Sequence, residues 1–314
     1  MKVQHVFLCF LPFCFLLFLA NCSVNTLVAN ALTGDGGSAV FTGDSDPQLV
    51  GDALPFAIKM YEALLDTTPK HQGLRLVTGS LFVMYANAFV QGPAGMISSS
   101  DWELQEAREA AMQRAKQLYL RGVEILYGAL DLKYRGFSRA TVLDGTLQPL
   151  LKKCKKDDVG FLYWTVAGGL AAYSINVTDF DLSAKIPDWS AMIHRAYDLD
   201  PNYNGAALDE FFVLFYGSLP EMLGGSKEKA QSHFQLAVEK TGGKSAGAYV
   251  GYAESLCVPD NYEGFKENLG KALAIDPDEN PSARLVTIIS QRKARWMLDN
   301  AWEYFSFLPM TGNK

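Results

Sequence analysis

Cys22 is the residue best placed for covalent chemistry. It ends the order Leu19-Ala20-Asn21-Cys22, behind an apolar run over residues 6–20. That order reads as a bacterial lipobox, where the signal peptide is cut before the cysteine and the thiol takes a diacylglyceryl group. Lys2 supplies a short basic n-region. About 15 apolar residues are too few to span roughly 30 Å of hydrocarbon, but they have the length of a signal h-region. Asn21 is the one departure, since Gly, Ala or Ser is usual there. The expectation is a signal peptide at 1–21 and a lipid on Cys22. The mature chain would then be periplasmic and held to a bacterial membrane by its first residue. No other stretch reads as long enough to cross a bilayer.

The remaining reactive groups are poorly arranged for catalysis. Beyond the signal the histidines are His71, His194 and His233, with no HExxH spacing and no cysteine pair beside them. Neither a metal nor a cofactor is expected. No G-x-S-x-G elbow occurs. Gly243-Lys244-Ser245 looks like the tail of a phosphate loop, but Val238 stands where the first Gly must be. The segment also follows a helical pattern, so the anion-cradling geometry is missing. Gly242-Gly243 reads instead as a helix stop, with Ser245 as the next N-cap. Cys154 lies in Lys152-Lys153-Cys154-Lys155-Lys156. Neighbouring cations favour a thiolate, but a spare cysteine on a surface turn is the simpler reading, and a disulfide to Cys257 is left open. The chain reads as a binding protein and not as an enzyme.

Aromatic rings are the other material for a site. Phe161, Tyr163, Trp164 and Tyr173 share one segment, and Phe211, Phe212, Phe215 and Tyr216 another. Such rings belong first to a core. A sharper reading makes Tyr163, Trp164, Tyr173, Phe211, Phe215 and Tyr216 the wall of an apolar groove or channel for a small organic or hydrophobic ligand. The small residues at 168–172 either let helices approach closely or leave room for that ligand.

The elements that must carry these rings are helical. Residues 22–46 form a Gly-rich leader that lets a body stand off the bilayer. Helical periodicity then runs through 47–314 with no alternation long enough for a sheet. Ser100-Asp101-Trp102-Glu103 has the form of a capping box. A long helix follows, with Ala107, Ala111, Ala115, Leu118, Gly122, Leu126 and Ala129 on one face and Glu109, Lys116, Arg121 and Glu124 on the other. It stops near Gly136. Residues 211–216 fit a buried helix better than a strand.

A local pattern recurs. Ala57-Tyr61-Leu64-Pro69, Trp189-Ile193-Ala196-Pro201, Ala230-Phe234-Ala237-Gly242 and Phe265-Leu269-Ala272-Pro277 follow the second helix and turn of a tetratricopeptide repeat. The last three turns lie 41 and 35 residues apart, close to that repeat's period. Small residues let the two helices of a hairpin lie close, and Pro blocks continuation. The expected fold is all-α: degenerate tetratricopeptide-like hairpins in a curved array, with extra helices, interrupted by the long helix and the loop-rich 135–157.

Charge and size bound the partners. The 314 residues carry a net charge of −6, which moves to about −7 once Lys2 leaves with the signal. An acidic body has no electrostatic footprint for nucleic acid. It is repelled by anionic lipid heads, so membrane attachment falls to the acyl chains.

The ordered series Leu162-Tyr163-Trp164, Leu199-Asp200-Pro201-Asn202-Tyr203-Asn204-Gly205-Ala206, Pro220-Glu221 with Gly224-Gly225-Ser226, and Ala230-Gln231-Ser232-His233-Phe234 resembles the T component of tripartite ATP-independent periplasmic (TRAP) transporters, in its TatT-type lipoprotein form. The stretch from Ala283-Arg284-Leu285 to Trp296-Met297-Leu298 continues the resemblance. Ser226 departs from the Asp usual after the two Gly, and caps a helix equally well. The resemblance implies degenerate repeat hairpins and no catalytic residues. It also implies a partner, the periplasmic solute-binding (P) subunit, and a homo-oligomer around a central pore, a trimer being the expected form. The function it implies is that of an accessory binding protein in solute uptake. A scaffold lipoprotein of envelope assembly, using the same repeats to hold peptide segments, is the alternative.

Overall fold

Five of the helices open on a residue whose side chain accepts from their first free amides: Asp46, His71, Ser226, Ser245 and Asn261. The computed structural model describes residues 40–309, so the signal peptide, Cys22 and the leader up to residue 39 lie outside the described residues. Helix α1 (Pro47–Thr67) starts with Pro at its first turn, and the Asp46 carboxylate accepts from the amides of Gln48 and Leu49. Helix α2 (Gln72–Tyr85) is capped by His71 Nδ1 at 3.0 Å from the Leu74 amide, and runs on through a π turn, Ala86–Gln91. Helices α3 (Gln105–Lys133), α4 (Leu147–Lys153), α5 (Val159–Ile175), α6 (Ile186–Leu199) and α7 (Ala207–Ser218) follow. Then come α8 (Lys227–Thr241), α9 (Ala246–Tyr252) with a π turn over Ala253–Cys257, α10 (Tyr262–Ala274) and α11 (Arg284–Asp299). Among the described residues there is no strand, and the protein is all-α. Residues 211–216 lie inside α7.

The recurring triplets all face inward. Ala57 and Tyr61 on α1, Trp189, Ile193 and Ala196 on α6, Ala230 and Ala237 on α8, and Phe265, Leu269 and Ala272 on α10 are buried. Helices α2 and α3, α5 and α6, α7 and α8, and α9 and α10 pack as pairs. The pairing exposes a copy missed in the sequence: Ala115, Tyr119 and Gly122 on α3, all buried, with the same spacing but no Pro after it. Close approach explains the small residue. A methyl on Gly122 would lie 2.7 Å from the Gly79 carbonyl oxygen. Helix α3 then continues to Lys133 and packs on α5 as well as α2, joining the first pair to the second.

Several local expectations are corrected. No capping box forms at Ser100. Trp102–Leu104 is a 3₁₀ turn, α3 starts at Gln105, and its cap residue Leu104 makes no side-chain hydrogen bond. Lys116 is not on a solvent face: it is buried, with its ammonium 2.7 Å from Asp179. Ala107 on the apolar face is exposed. Gln72–Gly95 is long and apolar enough to cross a membrane, contrary to expectation, but half of its apolar window is buried within the fold. Cys154 is buried and not on a surface turn, and Cys154 and Cys257 are both free thiols. Burial and the Asp158 charge outweigh the nearby Arg195 and Lys133 and push the Cys154 thiol up to about 11. The Gly136 stop, the Ser226 and Ser245 caps and the left-handed Gly242-Gly243 turn are present.

Candidate functional site

The candidate site lies where α5 and α7 turn their aromatic faces together. Tyr163 on α5 is the hub, with ring centroids 5.0 Å from Trp164, 5.5 Å from Tyr203 and 6.0 Å from Phe211 on α7. Phe211 stacks on Phe215 at 6.0 Å. Tyr163, Trp164, Tyr203 and Phe211 keep part of their surface open. Phe215, Tyr216 and Tyr173 do not: they are buried in the main core cluster with Phe212 and Trp189. The small residues at 168–172 lie on the same helix as Tyr163 and Trp164 and serve close helix approach. A methyl on Gly169 would sit 2.5 Å from the Trp189 ring, and one on Gly168 would sit 2.8 Å from Val83.

The histidines have structural partners. His71 caps α2. His194 reaches the Tyr216 hydroxyl through Nε2 at 2.7 Å and the Ser190 carbonyl through Nδ1 at 2.6 Å. His233 Nδ1 lies 2.8 Å from Asp209. Among the described residues no cluster of His, Cys, Asp and Glu could hold a metal ion.

The first turn of α7 brings a polar group to the aromatic hub. Glu210 Oε1 accepts from the Ser245 hydroxyl at 2.6 Å, and Oε2 takes no hydrogen bond from the described residues. No cation among the described residues lies within ion-pair distance of it. Burial, opposed by the Ser245 hydrogen bond and assisted by the Asp209 charge, raises the Glu210 carboxyl above the ordinary glutamate range. Burial, with smaller contributions from Glu210 and Tyr203, raises the Tyr163 hydroxyl. Helices α7, α9 and α11 converge here. A methyl on Gly247 would lie 3.1 Å from Glu210 Oε2 and 3.8 Å from the Ser290 hydroxyl. Glu210 was not among the residues singled out from the sequence. The available signal was its place beside Phe211 at the start of a largely apolar helix.

The array curves until its ends meet. Leu285 of α11 is buried in one cluster with Val50 and Leu54 of α1 and Leu74 and Leu81 of α2. The Arg284 guanidinium donates to the Gly43 carbonyl at 2.8 Å. Glu303 accepts from the Ser98 hydroxyl and the Ser99 amide, each at 2.7 Å. These contacts join α11 and the turn after it to α1, α2 and the loop before α3.

The described residues thus form an all-helical array that carries a cluster of partly open aromatic rings. The sequence model of the TRAP transporter T-component family matches residues 43–305. An uncharacterized protein of Treponema pallidum (strain Nichols) is 36% identical over 325 aligned positions, covering 97% of this chain and 99% of that protein. The chain belongs to the TRAP transporter T-component family, and it is an accessory component of an envelope transport system.

Proposed function

We propose that the protein docks the solute-binding subunit of its transporter and passes that subunit's ligand along the interior of the helical ring. Tyr163, Trp164 and Phe211 form the apolar wall in this reading, with Phe215, Tyr216 and Tyr173 packed behind as support. Glu210 and the Tyr163 hydroxyl are polar groups beside the ligand's path. The observation that carries it is a family match over 43–305 on a ring whose aromatic inner residues remain partly open. Concave stacked hairpins suit a protein segment or a ligand. An acyl chain on Cys22 would hold the complex at the membrane and raise the partner's effective concentration at the permease. Copies of the chain would assemble around a central pore, a trimer being the expected form.

The test is direct. Mature protein and its cognate solute-binding subunit, mixed at micromolar concentration, should associate in sedimentation or calorimetry. Trp164→Ala should slow ligand transfer more than it lowers the melting temperature. Absence of any association would end this reading and favour the envelope-scaffold alternative. Fatty-acid labelling that persists in Cys22→Ala would remove the anchor from it.

A further inference from the structure

Residues 133–156 are electrostatically unlike the rest of the chain. They hold seven of its 28 Lys and Arg (Lys133, Arg135, Arg139, Lys152, Lys153, Lys155 and Lys156) and one acidic residue, Asp144, in a protein of net charge −6. Two of the seven are spent on carboxylates: Lys133 on Asp158 at 2.6 Å and Lys156 on Asp200 at 3.2 Å. Arg135, Arg139, Lys152, Lys153 and Lys155 are exposed, and none lies within ion-pair distance of a carboxylate among the described residues. Asp144 offers them little, since it accepts from the Thr146 amide at 2.9 Å and the Thr146 hydroxyl at 2.6 Å in its own loop.

A solvated basic run would be mobile, and this one is pinned. The Tyr134 hydroxyl bonds buried Asp158 at 2.6 Å, and the Val142 amide bonds buried Asp188 at 2.7 Å. Arg195 reaches up from α6 to the carbonyls of Leu151 at 3.0 Å and Cys154 at 2.9 Å. Helix α4 stands between two recesses. One, of about 360 Å³, lies among Arg135, Arg139, Asp144, Thr146 and Leu150. The other, of about 310 Å³, lies among Leu151, Lys152, His194, Arg195 and Asp198, so each has two cationic side chains against one carboxylate. Leu143, 98% exposed, projects from the intervening loop. Fixed cations around recesses, with one apolar projection, form a preorganised surface for an anionic partner.

The position of this face selects the partner. Helix α2 runs antiparallel to both α1 and α3: Gly51 faces Phe89, and Gln72 bonds the Ala129 carbonyl. The basic segment follows the α3 C-terminus, whereas the leader joins at the α1 N-terminus. The 21 residues of α1 separate those two ends by about 30 Å. The face therefore lies at the end of the bundle away from the α1 N-terminus, where the proposed lipid tether would join, and is open to a partner arriving from solution.

We infer that the basic face around α4 docks an acidic surface of the solute-binding subunit, with Arg135, Arg139, Lys152 and Lys153 as its principal contacts. This rests on the docking function proposed above. Electrostatic complementarity of this kind acts mainly on encounter rate and partner choice, and weakens with salt.

Binding of the full mature protein to its cognate subunit would be measured at low and high salt. Arg135→Glu/Arg139→Glu and Lys152→Glu/Lys153→Glu should each weaken binding by about tenfold and flatten its salt dependence. The milder Arg135→Gln/Arg139→Gln should move it in the same direction. Lys266→Glu/Lys271→Glu on α10 should leave it unchanged. Leu143→Cys should cross-link to the subunit, since the native Cys154 and Cys257 are buried. Wild-type binding that survives both reversals would overturn the face and leave the docking function standing. Failure of the wild-type protein to bind would remove the docking function itself. Charge-dependent binding to phosphatidylglycerol vesicles, with subunit binding unaltered in the reversals, would assign the face to lipid and also overturn the inference.

Discussion

Asp209 and Glu210 are adjacent on α7, yet the two sides of that helix treat a carboxylate in opposite ways. Asp209 faces α6 and α8. It accepts from the Tyr197 hydroxyl at 3.0 Å and lies 2.8 Å from His233 and 2.6 Å from Lys240, with no exposed surface. Burial opposes its ionisation, but the hydrogen bonds of His233 and Lys240 and the Lys240 charge outweigh burial and hold its carboxyl below the usual range. Glu210 faces α9 and α11, has the Ser245 hydroxyl and no cation among the described residues, and is raised by burial. The first is a strut between hairpins. The second is joined only to Ser245, the N-cap residue of α9. A carboxyl with a raised pKa and no counter-ion among the described residues, beside a partly open aromatic wall, fits the binding role proposed above.

The comparison breaks most sharply at Asp209. Asp209→Ala should cost about 3–5 kcal/mol in denaturant unfolding, because it removes the buried acceptor shared by Tyr197, His233 and Lys240. A loss below about 1 kcal/mol would deny the strut. Lys240→Met, which leaves His233 and Tyr197 on the aspartate, should cost less, about 1.5–3 kcal/mol. The smallest effect has the opposite sign. Glu210→Gln removes a raised carboxyl, so the melting temperature at pH 7 should rise slightly.

The pH dependence separates the same two sites. A depressed Asp209 contributes stability above its unfolded pKa, and that contribution is lost as pH falls through the folded value, below about 4. Asp209→Asn should flatten this acid loss. Glu210, raised in the fold, costs stability above its unfolded value, and protonation relieves the cost. The gain from Glu210→Gln should therefore shrink to nothing as pH falls to about 4. A gain that persists at that pH would show that charge is not its cause.

Sequence patterns located what is local. The helical turns at Gly136 and Gly242, the caps at Ser226 and Ser245, and the inward triplets of α1, α6, α8 and α10 were legible because their chemistry lies within a few residues. At the expected capping box, the Ser100 hydroxyl is engaged with Ser98, which a distant carboxylate holds in place. Ser98, bonded to Glu303, also contacts the Ser100 hydroxyl at 2.9 Å. Lys116 was misread because its partner, Asp179, is 63 residues away. Of the six aromatics set aside as a wall, sequence could not divide Tyr163, Trp164 and Phe211 from the buried Phe215, Tyr216 and Tyr173. Ring type is the same in a core and on a lining.

The sequence by itself determined an all-helical chain, its small-residue hairpins and its family, because helix periodicity, stop chemistry and ordered motifs are written along the backbone. Tertiary structure alone decided which of two adjacent carboxylates on α7 is paired, that both free cysteines are buried, and that a basic run is held as a rigid face. It also decided that the array closes through Glu303 and Ser98, 205 residues apart. Those outcomes depend on which helix faces lie opposite one another, and a one-residue step turns a side chain by about 100° around a helix of 3.6 residues per turn.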